Sequence, residues 1–196
     1  MKLLALGAFA LASFAAIAAP SAASAQTAGP QNPGPVIPGV CVYFNQRLLA
    51  QSTVGQSVQA RMEQLATEVQ GELAPYGTVI QTEITALQQG GQAADPDGSR
   101  RNALQQRIQE AQALEQTRQD ELRYTLGEQR RLISAQVEPI LVAVYQERGC
   151  GLLLDRESVF IANPAMDVTD TVMERLNAAL PTLSFNRLPV PVQQAQ

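Results

Sequence analysis

Apolar residues recur between residues 54 and 87 in steps of four, four and three: Val54, Val58, Met62, Leu65, Val69, Leu73, Tyr76, Ile80, Ile84 and Leu87. That is an 11-residue period, about 3.67 residues per turn, which holds one apolar stripe on one helix face with almost no supercoil. A stripe this long in so short a chain makes a rod. It has to be covered by a return helix, another subunit or a client.

A first helix is predicted over residues 46–89, with Asn45 as its cap. Gly71, Pro75 and Gly77 interrupt it. An internal proline removes one backbone hydrogen bond and costs about 3 kcal/mol. The stripe stays in phase beyond Pro75, so one helix bent near Leu73 is expected, with Pro75 and Gly77 as a hinge. The turn is GGQAADPDGS, residues 90–99, where Asp95 or Ser99 can cap the return helix. That helix is predicted over residues 100–148, with a bend at Pro139 and Gly149 just past its end. Its stripe is weaker: Leu104, Ile108, Ala111, Leu114, Leu122, Leu126, Ile133, Val137, Ile140 and Val144, with Arg118 and Gln129 falling among the apolar positions. Each arm would be about 65 Å long at 1.5 Å per residue.

The flanks read differently. Residues 40–44 (VCVYF) are a β-branched and aromatic run, a predicted strand. Residues 151–155 and 158–162 are two apolar runs split by Arg156 and Glu157, a predicted β-hairpin. Thr169 can cap a last helix over residues 170–180. The fold class is therefore α+β: a long antiparallel helical hairpin, residues 46–148, on a small strand-containing body, residues 40–45 and 149–180. Val40, Val42, Leu152, Leu153, Leu154, Val159, Phe160 and Ile161 are the body's apolar candidates. The body is too small to bury an adequate core alone, and oligomerisation is the physical remedy. Residues 181–196 are expected to be a loose tail.

The N-terminus reads as a secretory signal over residues 1–25: Lys2, then an apolar stretch, then Ala23-Ser24-Ala25 as the cleavage pattern. Residues 26–39, rich in proline and glycine, would follow as a disordered leader. Export to the periplasm and a soluble mature protein are expected. Lys2 is the sole lysine, so the processed chain carries 13 arginines against 18 acids, a formal charge of −5. Nucleic acid is thereby disfavoured as a partner, and contact with anionic lipid is doubtful. Cys41 and Cys150 flank the hairpin. An oxidising compartment allows a bond that would tie the helix ends together; two buried free thiols are the other reading.

Catalytic chemistry is not legible. The chain has no histidine, so Ser-His and Cys-His arrangements are excluded. No phosphate loop or cysteine knuckle is present, and Asp95 and Asp97 read as capping residues rather than calcium ligands. No enzyme activity, cofactor or metal is expected. The Arg100-Arg101 and Arg130-Arg131 pairs read as solvated helix faces paired with acids such as Glu128, Asp120 and Glu121.

Two blocks carry a family resemblance. One is the entry VCVYFNQRLL, residues 40–49, followed by Ser52-Thr53-Val54-Gly55. The other is ERGCGLLLD, residues 147–155, followed by Val159 to Pro164, Asp167 to Asp170, and Arg175-Leu176-Asn177. Over residues 40–180 the chain resembles the Skp/OmpH family of periplasmic outer-membrane-protein chaperones. The resemblance implies a homotrimer with a β-barrel-like base and three helical tentacles. These would act as an ATP-independent holdase for unfolded outer-membrane β-barrel proteins. Family members are commonly basic and lysine-rich; this chain is acidic, which puts lipopolysaccharide binding in doubt. Client contact would then fall to the apolar residues Met62, Leu65, Val69, Leu73, Tyr76, Ile80 and Ile84. An exported structural spacer or adaptor is the alternative, and the glycines and proline inside the first helix argue against a rigid one.

Overall fold

The computed structural model describes residues 34–191. The expected signal sequence, most of the leader and residues 192–196 of the tail lie outside the described residues. Strand β1 (Val40–Tyr43) leads into helices α1 (Asn45–Gln51) and α2 (Thr53–Gly90). A short 3-10 turn, Gly91–Ala94, leads into α3 (Ser99–Glu147), then β2 (Leu152–Asp155) and finally α4 (Thr169–Ala179). With 38 and 49 residues, α2 and α3 are about 57 and 73 Å long. The α+β class read from the sequence holds: a long helical hairpin rises from a two-stranded sheet.

The first helix is two helices. Ser52 leaves the helical region at φ −67°, ψ 152°, and its hydroxyl accepts the Gly55 N–H at 3.2 Å to cap α2. The break brings the chain so close to itself that a Cβ on Gly55 would lie 1.8 Å from the Leu49 carbonyl oxygen. Asn177 on α4 fixes the break by accepting the Thr53 N–H at 2.9 Å. Asn45 does not cap; the α1 cap position is Phe44, whose N–H goes to the Thr169 hydroxyl at 2.9 Å. Thr169 is thereby engaged with the strand end instead of capping α4. Beyond the break α2 runs through Gly71, Pro75 and Gly77 without interruption, and α3 runs through Pro139.

At the tip, Asp95 is buried and accepts the Arg100 and Arg101 N–H groups at 2.9 and 3.2 Å, starting α3. Asp97 accepts from Ser99. At the base, α3 ends in a Schellman turn. Gly149 sits at φ 63°, its N–H bonds Gln146 O at 3.1 Å, and the Cys150 N–H bonds Tyr145 O at 3.0 Å.

The predicted β-hairpin over 151–162 does not form. β2 pairs instead with β1, parallel, with Val40 opposite Leu152 and Tyr43 opposite Asp155. The whole helical hairpin is the crossover. After β2 the Asp155 carboxylate takes the Glu157 N–H at 2.9 Å and turns the chain into a 3-10 segment, Arg156–Ser158, and residues 158–162 pair with no strand. On the other side of β1, Val42 O accepts the Val168 N–H at 2.9 Å.

One core joins body and arm. Leu48, Val54 and Val58 meet Ile133, Val137 and Val144 from α3 and Val172 and Leu176 from α4. Cys41 and Cys150 close the base of the same core and are bonded, with Cα atoms 5.7 Å apart. The buried residues of α2 are Val54, Val58, Leu65 and Val69, all members of the stripe. Facing them on α3 are Thr125, Gln129, Ile133, Val137 and Val144. Burying each large apolar side chain stabilises by roughly 1.5–3 kcal/mol.

The tail is a second correction. Residues 181–191 form neither helix nor strand but are laid along the arm: Leu183 and Phe185 pack on the core, and Arg187 bridges the two helices.

Candidate functional site

Two surfaces stand out, one at the base and one along the arms. At the base, Leu152 is 50% exposed, Phe160 is 95% exposed, and Val36, Ile37 and Ile161 are open as well. The side-chain amide of Asn163 donates to Gly34 O at 2.9 Å, so the leader and the segment after β2 are held together. Of the body candidates, Val42 is buried, Val40, Leu153, Leu154 and Val159 are half-buried, and Leu152, Phe160 and Ile161 face outward. Five large apolar side chains at this end are thus left open within one chain.

The arms divide into a packed half and an open half. Among the described residues no α2 position beyond Val69 is buried, and no α3 position before Thr125 is. In the open half Leu73, Ile80 and Ile84 are half-exposed, Tyr76 and Val79 are exposed, and across from them Leu104, Ile108 and Leu114 are half-exposed. Of the seven residues singled out from the stripe, Leu65 and Val69 are sealed between the helices and Met62 packs on the core. The other four lie in the open half. Pro75 and Gly77 are exposed within that half, and a Cβ on Gly77 would meet nothing.

An ionic cluster marks the boundary between the halves. Arg118 on α3 reaches Glu72 on α2 at 2.7 Å and its own neighbour Glu121 at 3.0 Å. Arg187 from the tail reaches the same two acids at 2.8 and 2.9 Å. The hydrogen bond from Arg187, then that from Arg118, holds the Glu72 carboxyl below the usual carboxylate range. Nearer the tip, Arg100 pairs with Glu83 at 2.7 Å. Arg131 pairs with Glu128, and Arg123 with Asp120. In the body, burial and then the Asp155 charge push the Tyr43 phenol up to about 12.

No group of three or more acids and cysteines that could hold a metal occurs among the described residues. No helix there is long and apolar enough to cross a membrane. Sequence reasoning missed two features: the Ser52–Gly55–Asn177 lock and the seat of the tail. The first had a signal in Ser52 three residues before a glycine. The second had one in the alternation Leu183, Phe185, Arg187, which a proline-rich context obscured.

Comparison with known proteins agrees with this architecture. Residues 39–176 match the family model described as outer membrane protein (OmpH-like). None of the curated proteins matches the chain. The chain is similar to a candidate outer membrane chaperone (OmpH-like) from Caulobacter crescentus CB15 whose crystal structure is known. The two are 34% identical, with a TM-score of 0.70, over 82% of this chain and 96% of that one. The parallel β1–β2 base, the long helical hairpin and a family match over most of the chain together place it: this protein belongs to the OmpH-like family of outer membrane proteins.

Proposed function

We propose that this protein is a periplasmic, ATP-independent holdase that binds unfolded outer-membrane β-barrel chains and prevents their aggregation. The observation that carries the proposal is the open half of the arms. There Leu73, Tyr76, Ile80 and Ile84, with Leu104 and Ile108 opposite, leave an apolar surface unburied in a single chain. Such a surface suits clients that share hydrophobicity but no sequence. Family membership supports the class of activity.

The working unit is a homotrimer joined through the base. The open patch of Leu152, Phe160 and Ile161 supports that assembly, since it needs a cover that one chain lacks. Export by a cleaved signal is part of the same proposal, as is the absence of nucleic acid or lipopolysaccharide among its partners, given the −5 charge. Light scattering of the processed protein, alone and with an unfolded porin-like chain diluted from urea, tests it. A trimer mass that rises by one client, with suppressed client turbidity, is the expected result. A monomer that leaves client aggregation unchanged refutes it.

A further inference from the structure

The tail is seated as an extended peptide. Its Leu183 N–H donates to the Ser57 hydroxyl at 3.3 Å, and Arg61 donates to the Phe185 carbonyl at 3.1 Å and to Asn186 at 3.3 Å. The Leu188 N–H donates to the buried Thr125 hydroxyl at 2.8 Å. Ser57 and Glu72 are about 22 Å apart along α2 at 1.5 Å per residue. The tail from Leu183 to Arg187 can span at most about 14 Å. It covers the interval because it is nearly straight and because Arg187 and Glu72 reach toward each other. Burial alternates from Leu183 to Arg187: Leu183, Phe185 and the ion-paired Arg187 are half-buried while Ser184 and Asn186 are exposed, and the alternation ends at Leu188, which is half-buried as well.

Inward and outward residues that alternate one by one are the signature of a strand. Apolar residues at every second position also define the strands of outer-membrane barrels. We propose that the face formed by Ser57, Arg61, Thr125 and the Glu72–Glu121 pair is a binding groove for extended segments with apolar residues at alternate positions. The chain's own residues 181–191 hold that groove until a client strand displaces them. The inference rests on the holdase reading and adds to it a place, a pattern and an internal competitor. The groove holds the backbone with one hydroxyl acceptor on each helix and one guanidinium donor, and the half-buried seats of Leu183 and Phe185 select the side-chain pattern. The occupant is displaceable because its inward residues are only half-buried, unlike the core beneath them, and because Pro181, Pro189 and Pro191 have no N–H to anchor.

The test compares the full chain with two variants of it. Arg187→Glu sets a carboxylate against Glu72 and Glu121 and ejects the end of the tail. A second variant replaces Leu183, Phe185 and Leu188 with serine. Affinity for a fluorescent unfolded eight-stranded barrel protein is read by anisotropy, and helicity by circular dichroism. If the groove is free about a third of the time in the parent, each release variant binds about threefold tighter. The synthetic peptide of residues 181–191 then competes with the client on either variant. A peptide of the same composition with its apolar residues adjacent competes less. Either variant that retains helicity decides the matter. Affinity at or below the parent's, or no competition by the peptide, overturns the proposal. A parent that binds no client removes the holdase reading, and the inference falls with it.

Discussion

Replacing Cys41 and Cys150 together with alanine removes a tie between residues 109 positions apart in sequence. A cross-link acts chiefly by restricting the unfolded chain. For a loop of about 110 residues the chain-entropy relation gives about 4.8 kcal/mol at 25 °C. Both sulfurs also close the base of the core, so some packing is lost as well. The assay is urea unfolding followed by circular dichroism, with parent and variant at equal protomer concentration, since association shifts apparent stability. With a urea slope of roughly 2 kcal/mol/M, the midpoint should fall by about 2 M. The parent unfolded under strong reductant should fall by a similar amount, and thiol counting on the denatured, unreduced parent should find none free. A midpoint shift below about 0.5 M in both variant and reduced parent would refute the reasoning, because the unfolded ensemble would then not be restrained by the bond.

Gly55→Ala drives a methyl group to 1.8 Å from the Leu49 carbonyl oxygen, so α1 and α2 must part; a loss of about 3 kcal/mol or more in the same urea assay is expected, comparable with other overpacked or strained sites. Phe160→Asp should abolish the proposed trimer by light scattering while leaving monomer helicity intact, because Phe160 is already 95% exposed within one chain. Tyr43 should ionise near 12 in a spectrophotometric titration. Its folded value is raised, so its contribution is complete below the unfolded value near 10 and is lost as pH climbs through 12; stability should fall over that window, and Tyr43→Phe should remove that part of the fall. Glu72 has the opposite sign. Its value is lowered, so the tail clamp should weaken as pH drops below the carboxylate's ordinary 4.5, measured as growing protease sensitivity of residues 181–191.

The hairpin was legible because its signal is long. The stripe repeats over several turns, and Val54, Val58, Leu65 and Val69 take the buried positions that the period assigns. The end of α3 at Gly149 was equally plain, since one residue type dominates that geometry. The break at Ser52 had only a faint local signal, a serine three residues before Gly55 at the head of the apolar period; Asn177, far along the chain, supplies what makes it a break. The β-hairpin was misread for a related reason. Two apolar runs with a charged pair between them look like partners, but β2 is claimed by β1 across the length of the arm. The tail carried apolar residues at a strand-like period too short and too proline-flanked to be read. Which stripe residues are sealed and which stay open was not legible, because it depends on how closely α2 and α3 pack along their length.

The parallel pairing of β1 and β2 has a kinetic corollary. Val40 meets Leu152, so the sheet joins residues 112 positions apart in sequence. A strand pairing of that span pays its loop-closure entropy before it is rewarded, and such contacts form late. The helices between them form from near neighbours and fold back at the tip, and by doing so carry the two strands together. During synthesis β1 emerges more than a hundred residues ahead of its partner, with its edge unpaired and open to association. The chain therefore passes, early in its own folding, through the same exposure of an unpaired strand edge that the proposed holdase activity would relieve in its clients.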